Sequence, residues 1–148
     1  MGRIFGEDVM VEVSILLLTR NGRCDLERVL PAVFRQEATA GFEVIAIDSG
    51  STDGTLELLR SFPVQVKQIL PQQFHDAGTR NLAASLAKGR LLVFLSQNAI
   101  PASNDWLATM IANFNDPGVG AVYGRQFPKP GSTLSSIRKD SLRLVFCP

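Results

Sequence analysis

The stretch Phe42-Glu43-Val44-Ile45-Ala46-Ile47-Asp48-Ser49-Gly50-Ser51-Thr52-Asp53-Gly54-Thr55 changes character at one point. Up to Ile47 it is a short, mostly apolar run of the kind that forms a strand covered on both faces. From Asp48 onward the residues are those that turn a chain or cap a helix. A short helix then follows through Leu56, Leu59 and Arg60. Glu57 sits in its first turn, where the positive end of the helix dipole favours a carboxylate. Strand, polar loop and helix together make the repeating unit of a parallel sheet.

The same unit recurs on either side. Upstream, Val11 to Leu18 reads as a strand buried on both faces, broken by Thr19-Arg20-Asn21-Gly22. Asp25 is a candidate helix cap. Leu26, Val29, Leu30, Val33 and Phe34 then follow the spacing of one apolar helical face, and Pro31 removes a backbone donor inside that helix. Downstream, Pro63 ends the short helix and Val64 to Leu70 reads as a third strand. A helix is expected from about Asp76 to Lys88, with Gly89 as its C-terminal cap. Arg90 to Leu95 is a fourth strand. Ser103 or Asn104 is expected to cap a helix carrying Trp106, Leu107, Met110, Ile111 and Phe114, which Asn115-Asp116-Pro117-Gly118 stops. Val119 to Tyr123 is a fifth strand. After Gln126 the pattern weakens, and Ser135 to Phe146 is expected to be helical.

This alternation predicts an α/β fold, a mostly parallel sheet with helices on both faces. In such sheets a ligand binds beyond the carboxyl ends of the strands. The segments there are Thr19-Arg20-Asn21, Asp48-Ser49-Gly50, Ser96-Gln97-Asn98 and Gly124-Arg125-Gln126, which are polar. That places a candidate site before any likeness is considered.

Bulk properties narrow the classes. The 148 residues suit one domain of ordinary size, and 45% hydrophobic residues with 20% charged allow a core. A formal charge of +1 argues against a general nucleic-acid binder or membrane-surface protein, which need a concentrated basic field. Two cysteines, Cys24 and Cys147, cannot make a zinc site by themselves. They are expected to be free, buried or half-buried thiols in a reducing compartment. No leader pattern or run long enough to span a bilayer is visible. The expectation is a cytoplasmic chain, at most peripheral to the inner face of the cytoplasmic membrane.

Four stretches, in order, resemble the donor domain of family 2 glycosyltransferases. They are Val13 to Gly22 followed by a helix ending in Gln36, Phe42 to Thr55, Gly78-Thr79-Arg80-Asn81 opening a helix, and Gly89 to Pro101, which ends Ser96-Gln97-Asn98-Ala99-Ile100-Pro101. The last, with Gly124-Arg125-Gln126, is most similar to rhamnosyltransferase-type members. The likeness covers roughly residues 11 to 126, a nucleotide-sugar-binding α/β domain (1–126), with 127–148 as the start of an acceptor-side region.

The resemblance implies a GT-A-type fold and an inverting transfer of a sugar, rhamnose among the candidates. The sugar would pass from a dTDP- or UDP-sugar to a glycan or lipid-linked acceptor. It implies nucleotide-sugar contacts at Thr19, Arg20, Asn21, Asp48, Ser49, Arg80, Gln97 and Asn98. Asp48 can accept the ring N–H of a pyrimidine, or it and Asp53 can cap the next helix. Arg80, near a helix N-terminus, can meet the diphosphate or pair with Asp76. Asn81 reads as structural, and His75, the lone histidine, as a residue without a direct role.

Relatives carry a carboxylate at the end of the fourth strand, binding Mg²⁺ or Mn²⁺ that bridges the donor diphosphate. Here Gln97 and Asn98 stand in that place. Asn98 keeps one neutral oxygen, so weakened metal binding is expected, because hard divalent cations prefer anionic oxygen. The general base is expected beyond residue 148, because Asp140, the carboxylate left after Gln126, does not match the family's motif. The chain alone is then expected not to transfer sugar. Val145 and Phe146 suggest self-association through an uncovered edge.

Three other readings compete. One is a module of the same fold that binds nucleotide-sugar without turnover. A receiver domain needs an acidic cluster after the first strand, where Thr19-Arg20-Asn21 supplies none. A dinucleotide oxidoreductase needs the Gly-x-Gly-x-x-Gly turn, which the first strand lacks.

Overall fold

A computed structural model describes residues 10–38, 40–125 and 144–146. The chain runs β1 (Val11–Thr19), α1 (Arg23–Phe34), β2 (Gly41–Asp48), α2 (Thr55–Arg60), β3 (Val64–Gln68), α3 (Asp76–Leu86), β4 (Leu91–Ser96), α4 (Trp106–Ala112), β5 (Ala121–Tyr123) and β6 (Leu144–Phe146). Single 3₁₀ turns lie at Pro71–Gln73 and Asn113–Asn115. The six strands form one sheet in the order β3-β2-β1-β4-β6-β5. β1 pairs in parallel with both β2 and β4, and β2 in parallel with β3.

Alternation along the strands divides the core in two. Val13, Ile15 and Leu17 of β1, Val44 and Ala46 of β2, and Leu91, Val93 and Leu95 of β4 share one face. They pack under Leu26, Val29, Leu30 and Val33 of α1, Leu59 of α2, and Leu107 and Met110 of α4. The intervening residues Leu16, Ile45 and Ile47 point the other way and meet Ala83 and Leu82 of α3. Period two in the strands and 3.6 in the helices therefore produce helices on both faces. Burying each large side chain contributes about 1.5–3 kcal/mol.

Several local expectations change. The cap of α1 is Gly22, and Asp25 lies inside its first turn. The third strand ends at Gln68, because Pro71 starts a 3₁₀ turn in which Gln73 Oε1 accepts the Leu70 N–H at 2.8 Å. The α3 helix stops at Leu86 with Ala87 as its cap. Gly89 serves a different purpose. A Cβ there would lie 2.6 Å from the backbone of Val13 and Ser14, so glycine lets β4 enter beside β1. The Gly89 N–H donates to Ser14 Oγ at 2.9 Å.

β6 is the largest departure. Residues 144–146, expected to be helical, form a strand inserted between β4 and β5 and antiparallel to both. The rest of the expected helix, the turn at Gln126, Asp140 and Cys147 lie outside the described residues, as do the side chains of Val145 and Phe146. Cys24 is a free thiol and is exposed rather than buried. Among the described residues no helix is long and apolar enough to cross a membrane.

Candidate functional site

The polar ends of β1, β2 and β4 meet because these strands are adjacent and in register, Thr19 opposite Asp48 and Leu18 opposite Ser96. Asp48 is fully buried. Its Oδ1 accepts the hydroxyls of Thr19, at 3.0 Å, and Ser51. Its Oδ2 accepts the N–H groups of Gly50 at 3.1 Å and Ser51 at 2.9 Å. A carboxylate has about four acceptor positions, and Asp48 gives three to its own loop and one to Thr19 of β1. Ser49 is also drawn inward, its N–H and hydroxyl both donating to the Thr19 carbonyl, at 3.0 and 3.2 Å.

The loop after β1 is fastened to the same turn. Asn21 adopts φ 45°, a left-handed conformation that asparagine tolerates better than most residues. From there its N–H donates to Ser51 Oγ at 2.8 Å, and its Oδ1 accepts the Thr52 N–H at 2.9 Å. Asp53 accepts the N–H of Arg23 at 3.1 Å, and the N–H and hydroxyl of Thr55. The Thr55 hydroxyl is the main reason its carboxyl is held below the ordinary value of 3.8. Desolvation, the next largest influence, opposes this, and the backbone N–H groups of Arg23, Thr55 and Asp53 reinforce it.

Gln97 closes the arrangement from the β4 side. Its Oε1 accepts the Arg20 N–H at 3.0 Å, and its Nε2 donates to the Arg20 carbonyl at 3.2 Å. Gly22 makes room for this amide, since a Cβ at that position would fall 2.4 Å from Gln97 Oε1. Asn98 follows, exposed, in the turn after β4. Arg20 is exposed at the end of β1, and among the described residues it has no carboxylate partner.

Arg80 makes two contacts near the start of α3. Its Nε pairs with Asp76 Oδ2 at 3.3 Å, and its guanidinium lies 5.6 Å from the centre of the Phe94 ring. His75 caps α3, with Nδ1 accepting the Gly78 N–H at 3.3 Å. Asn81 is exposed on α3.

Gln36, expected to end the helix of the first family-like stretch, has a role that the sequence did not reveal. It is nearly buried, 9% exposed. Its Nε2 donates to the carbonyls of Ala32 at 3.1 Å and Ser103 at 2.8 Å. Its Oε1 accepts the Leu107 N–H at 2.9 Å, so a glutamine 71 positions away supplies what Ser103 or Asn104 was expected to give α4. The N-cap residue itself is Asp105. Gln36 thereby holds the loop after Asn98 against the end of α1. A groove of about 450 Å³ runs between them, lined by Arg28, Pro31, Arg35, Ile100 and Ala102 among others. No periodicity marks such a residue, because its partners are backbone atoms of a distant loop.

The described residues do not fit a hard divalent cation. Both amide atoms of Gln97 are engaged by Arg20. Asp48 and Asp53 accept from their own turns, and Asn98 is neutral. Among the described residues no group of three or more His, Cys, Asp or Glu is placed to hold a metal.

The family description Glycosyl transferase family 2 matches residues 14–144. The chain belongs to that family. Among curated family members, it is 33% identical over 120 residues to the O-antigen chain rhamnosyltransferase RfbN of Salmonella typhimurium, covering 80% of this chain and 38% of RfbN. It is 38% identical over 96 residues to the O-antigen chain rhamnosyltransferase WbaN of Salmonella anatum, covering 64% of this chain and 30% of WbaN. The chain thus spans about a third of the length of these relatives. Among solved structures, the mannosyltransferase PcManGT of Pyrobaculum calidifontis, in complex with GDP-Man and Mn²⁺, aligns with TM-score 0.71 at 26% identity. That alignment covers 83% of this chain and 39% of PcManGT. S. aureus TarS aligns at 0.67 and 21% identity over 80% of this chain and 39% of that one, a likeness of fold. The GT-A-like α/β architecture and the family expected from the strand-end motifs are both borne out.

Proposed function

We propose that this chain is the donor-binding part of an inverting glycosyltransferase that moves a sugar, rhamnose foremost, from a nucleotide-diphosphate sugar to a glycan or lipid-linked acceptor. One observation carries the reading. The carboxyl ends of β1, β2 and β4 are tied together by Thr19–Asp48, Asn21–Ser51 and Gln97–Arg20, with Arg20, Asn21 and Asn98 exposed there. That is where a parallel sheet of this type takes its ligand. The names of RfbN and WbaN support a rhamnosyl donor, carried on dTDP or UDP.

In this reading Asp48, Thr19, Ser49, Asn21 and Gln97 are positioning residues that fix the loops. Arg20 and Asn98 face the donor, and Arg80, held on Phe94, flanks it. The protein works on the cytoplasmic side, at or near the membrane that presents its acceptor. Calorimetry with dTDP, UDP, GDP and NAD tests the donor assignment. Binding of dTDP in preference to GDP and NAD is expected, and failure of every pyrimidine nucleotide would overturn it.

A second reading, a module that binds nucleotide-sugar without turnover, draws on the neutral Asn98 at the end of β4. Labelled dTDP-rhamnose with hydroxyl acceptors separates the two, because turnover by this chain excludes the second.

A further inference from the structure

We propose that this site binds the donor diphosphate without a divalent metal, the guanidinium of Arg20 providing the positive charge. The inference rests on the donor-binding reading above and deepens it.

Three observations point the same way. A metal that bridges a diphosphate needs anionic oxygen from the protein. At the end of β4 the side chains are two amides, Gln97 and Asn98. The carboxylates on the neighbouring turns are already engaged, Asp48 accepting from Gly50, Ser51 and Thr19, and Asp53 from Thr55 and Arg23. Second, the amide of Gln97 is the right group for the place it occupies. It both accepts from and donates to the Arg20 backbone, which a carboxylate cannot do. Third, that latch fixes the backbone of the arginine that follows β1. Of the cations near these strand ends, Arg23 is paired with Glu27 and Arg80 with Asp76. Arg20 is exposed and has no carboxylate partner among the described residues.

The two features are consistent in charge. A carboxylate at position 98 repels a diphosphate unless a metal lies between them. An amide carries no such penalty and needs no metal. A guanidinium presents a rigid fork of donors that matches phosphate oxygens two at a time, and it stays charged at every working pH.

The test is calorimetric titration of dTDP into this chain, first with EDTA and then with excess Mn²⁺. The titration is repeated for Arg20→Gln and Arg20→Lys. Affinity in EDTA within about twofold of that in Mn²⁺ is expected. Arg20→Gln should weaken binding at least tenfold and flatten its dependence on NaCl, whereas Arg20→Lys should recover part of both. Circular dichroism checks that the exposed substitutions leave the fold intact. A tenfold or larger gain with Mn²⁺ in the native chain overturns the proposal while leaving the donor-binding reading in place. Metal-free binding that Arg20→Gln does not weaken also overturns it. Absence of dTDP binding under every condition removes the donor-binding reading and the proposal together.

Discussion

Gln97 grips Arg20 from both sides of one residue, accepting its N–H at 3.0 Å and donating to its carbonyl at 3.2 Å. The pair joins the ends of two adjacent strands that are 77 positions apart. Because one side-chain atom accepts and the other donates, glutamate is not a conservative replacement. Gln97→Glu sets a carboxylate oxygen against the Arg20 carbonyl and adds negative charge to the proposed donor site. A stability loss of about 1–2 kcal/mol is expected. Weakening of dTDP binding by about tenfold, equivalent to about 1.4 kcal/mol, is expected with it. Urea unfolding and calorimetry measure the two effects, and a variant equal to the native chain in both would remove the latch from the account.

Asn98→Asp tests the same end of β4 from the opposite direction. Restoring a carboxylate should give dTDP binding that tightens on adding Mn²⁺ and weakens in EDTA relative to the native chain. Titrations in the two buffers read this directly. An Asn98→Asp variant indifferent to Mn²⁺ would show that position 98 does not control metal use.

Asp48→Asn should be the most damaging single change at the site. The amide oxygen can still accept from the Gly50 and Ser51 N–H groups, but its NH2 then faces the Thr19 and Ser51 hydroxyls, which must accept where they donated. Exchanging charge-assisted bonds for neutral ones and reversing those hydroxyls should cost about 2–4 kcal/mol. Urea midpoints give the value. A loss under about 1 kcal/mol, the worth of a single ordinary hydrogen bond, would mean the loop stands without this carboxylate.

Asp53 gives a pH dependence whose sign follows from its lowered pKa. The folded state holds this carboxyl below its ordinary 3.8, so it releases its proton more readily folded than unfolded. Its contribution is therefore present above that ordinary value and fades as pH falls through the lower, folded one. The stability difference between the native chain and Asp53→Asn should be constant from about pH 7 to about pH 5 and shrink in more acid solution. Thermal unfolding of both proteins across roughly pH 3–7 checks this, and a difference that grows in acid would contradict it.

Gln36→Leu keeps the bulk but removes three hydrogen bonds, to Ala32, Ser103 and Leu107. It should destabilise the chain by about 2–4 kcal/mol. Amide exchange should rise first around 103–107, where the loop and the start of α4 lose their tether. Uniform exchange without that local rise would place the role of Gln36 elsewhere.

The parts of the fold visible in the sequence are those whose causes are local. β1, β2 and β4 are apolar runs closed by polar turns, and the apolar stripe of α1 from Leu26 to Phe34 repeats at helical spacing. The candidate site was legible as a meeting of strand ends because Thr19, Asp48 and Gln97 stand where apolar periodicity stops. What was hidden depends on distant partners. Gly89 looks like a helix cap until the backbone of β1 is beside it. Gln36 and Gln97 look like ordinary polar residues until the loops they hold are in place. β6 carries no strand-length signal, being three residues paired with segments far upstream.

The sheet order also sets a sequence of events. β3, β2, β1 and β4 are neighbours in an unbroken row and are complete by Ser96. β5, which ends at Tyr123, has no seat against β4 until Leu144–Phe146 arrives to lie between them. As the chain leaves the ribosome, the turns at Thr19, Asp48 and Gln97 can close around one another while the far side of the sheet still waits for its wedge. Folding should therefore have two stages, an early one that builds the polar strand ends and a late one limited by the pairing of β4 with β6, segments distant in sequence.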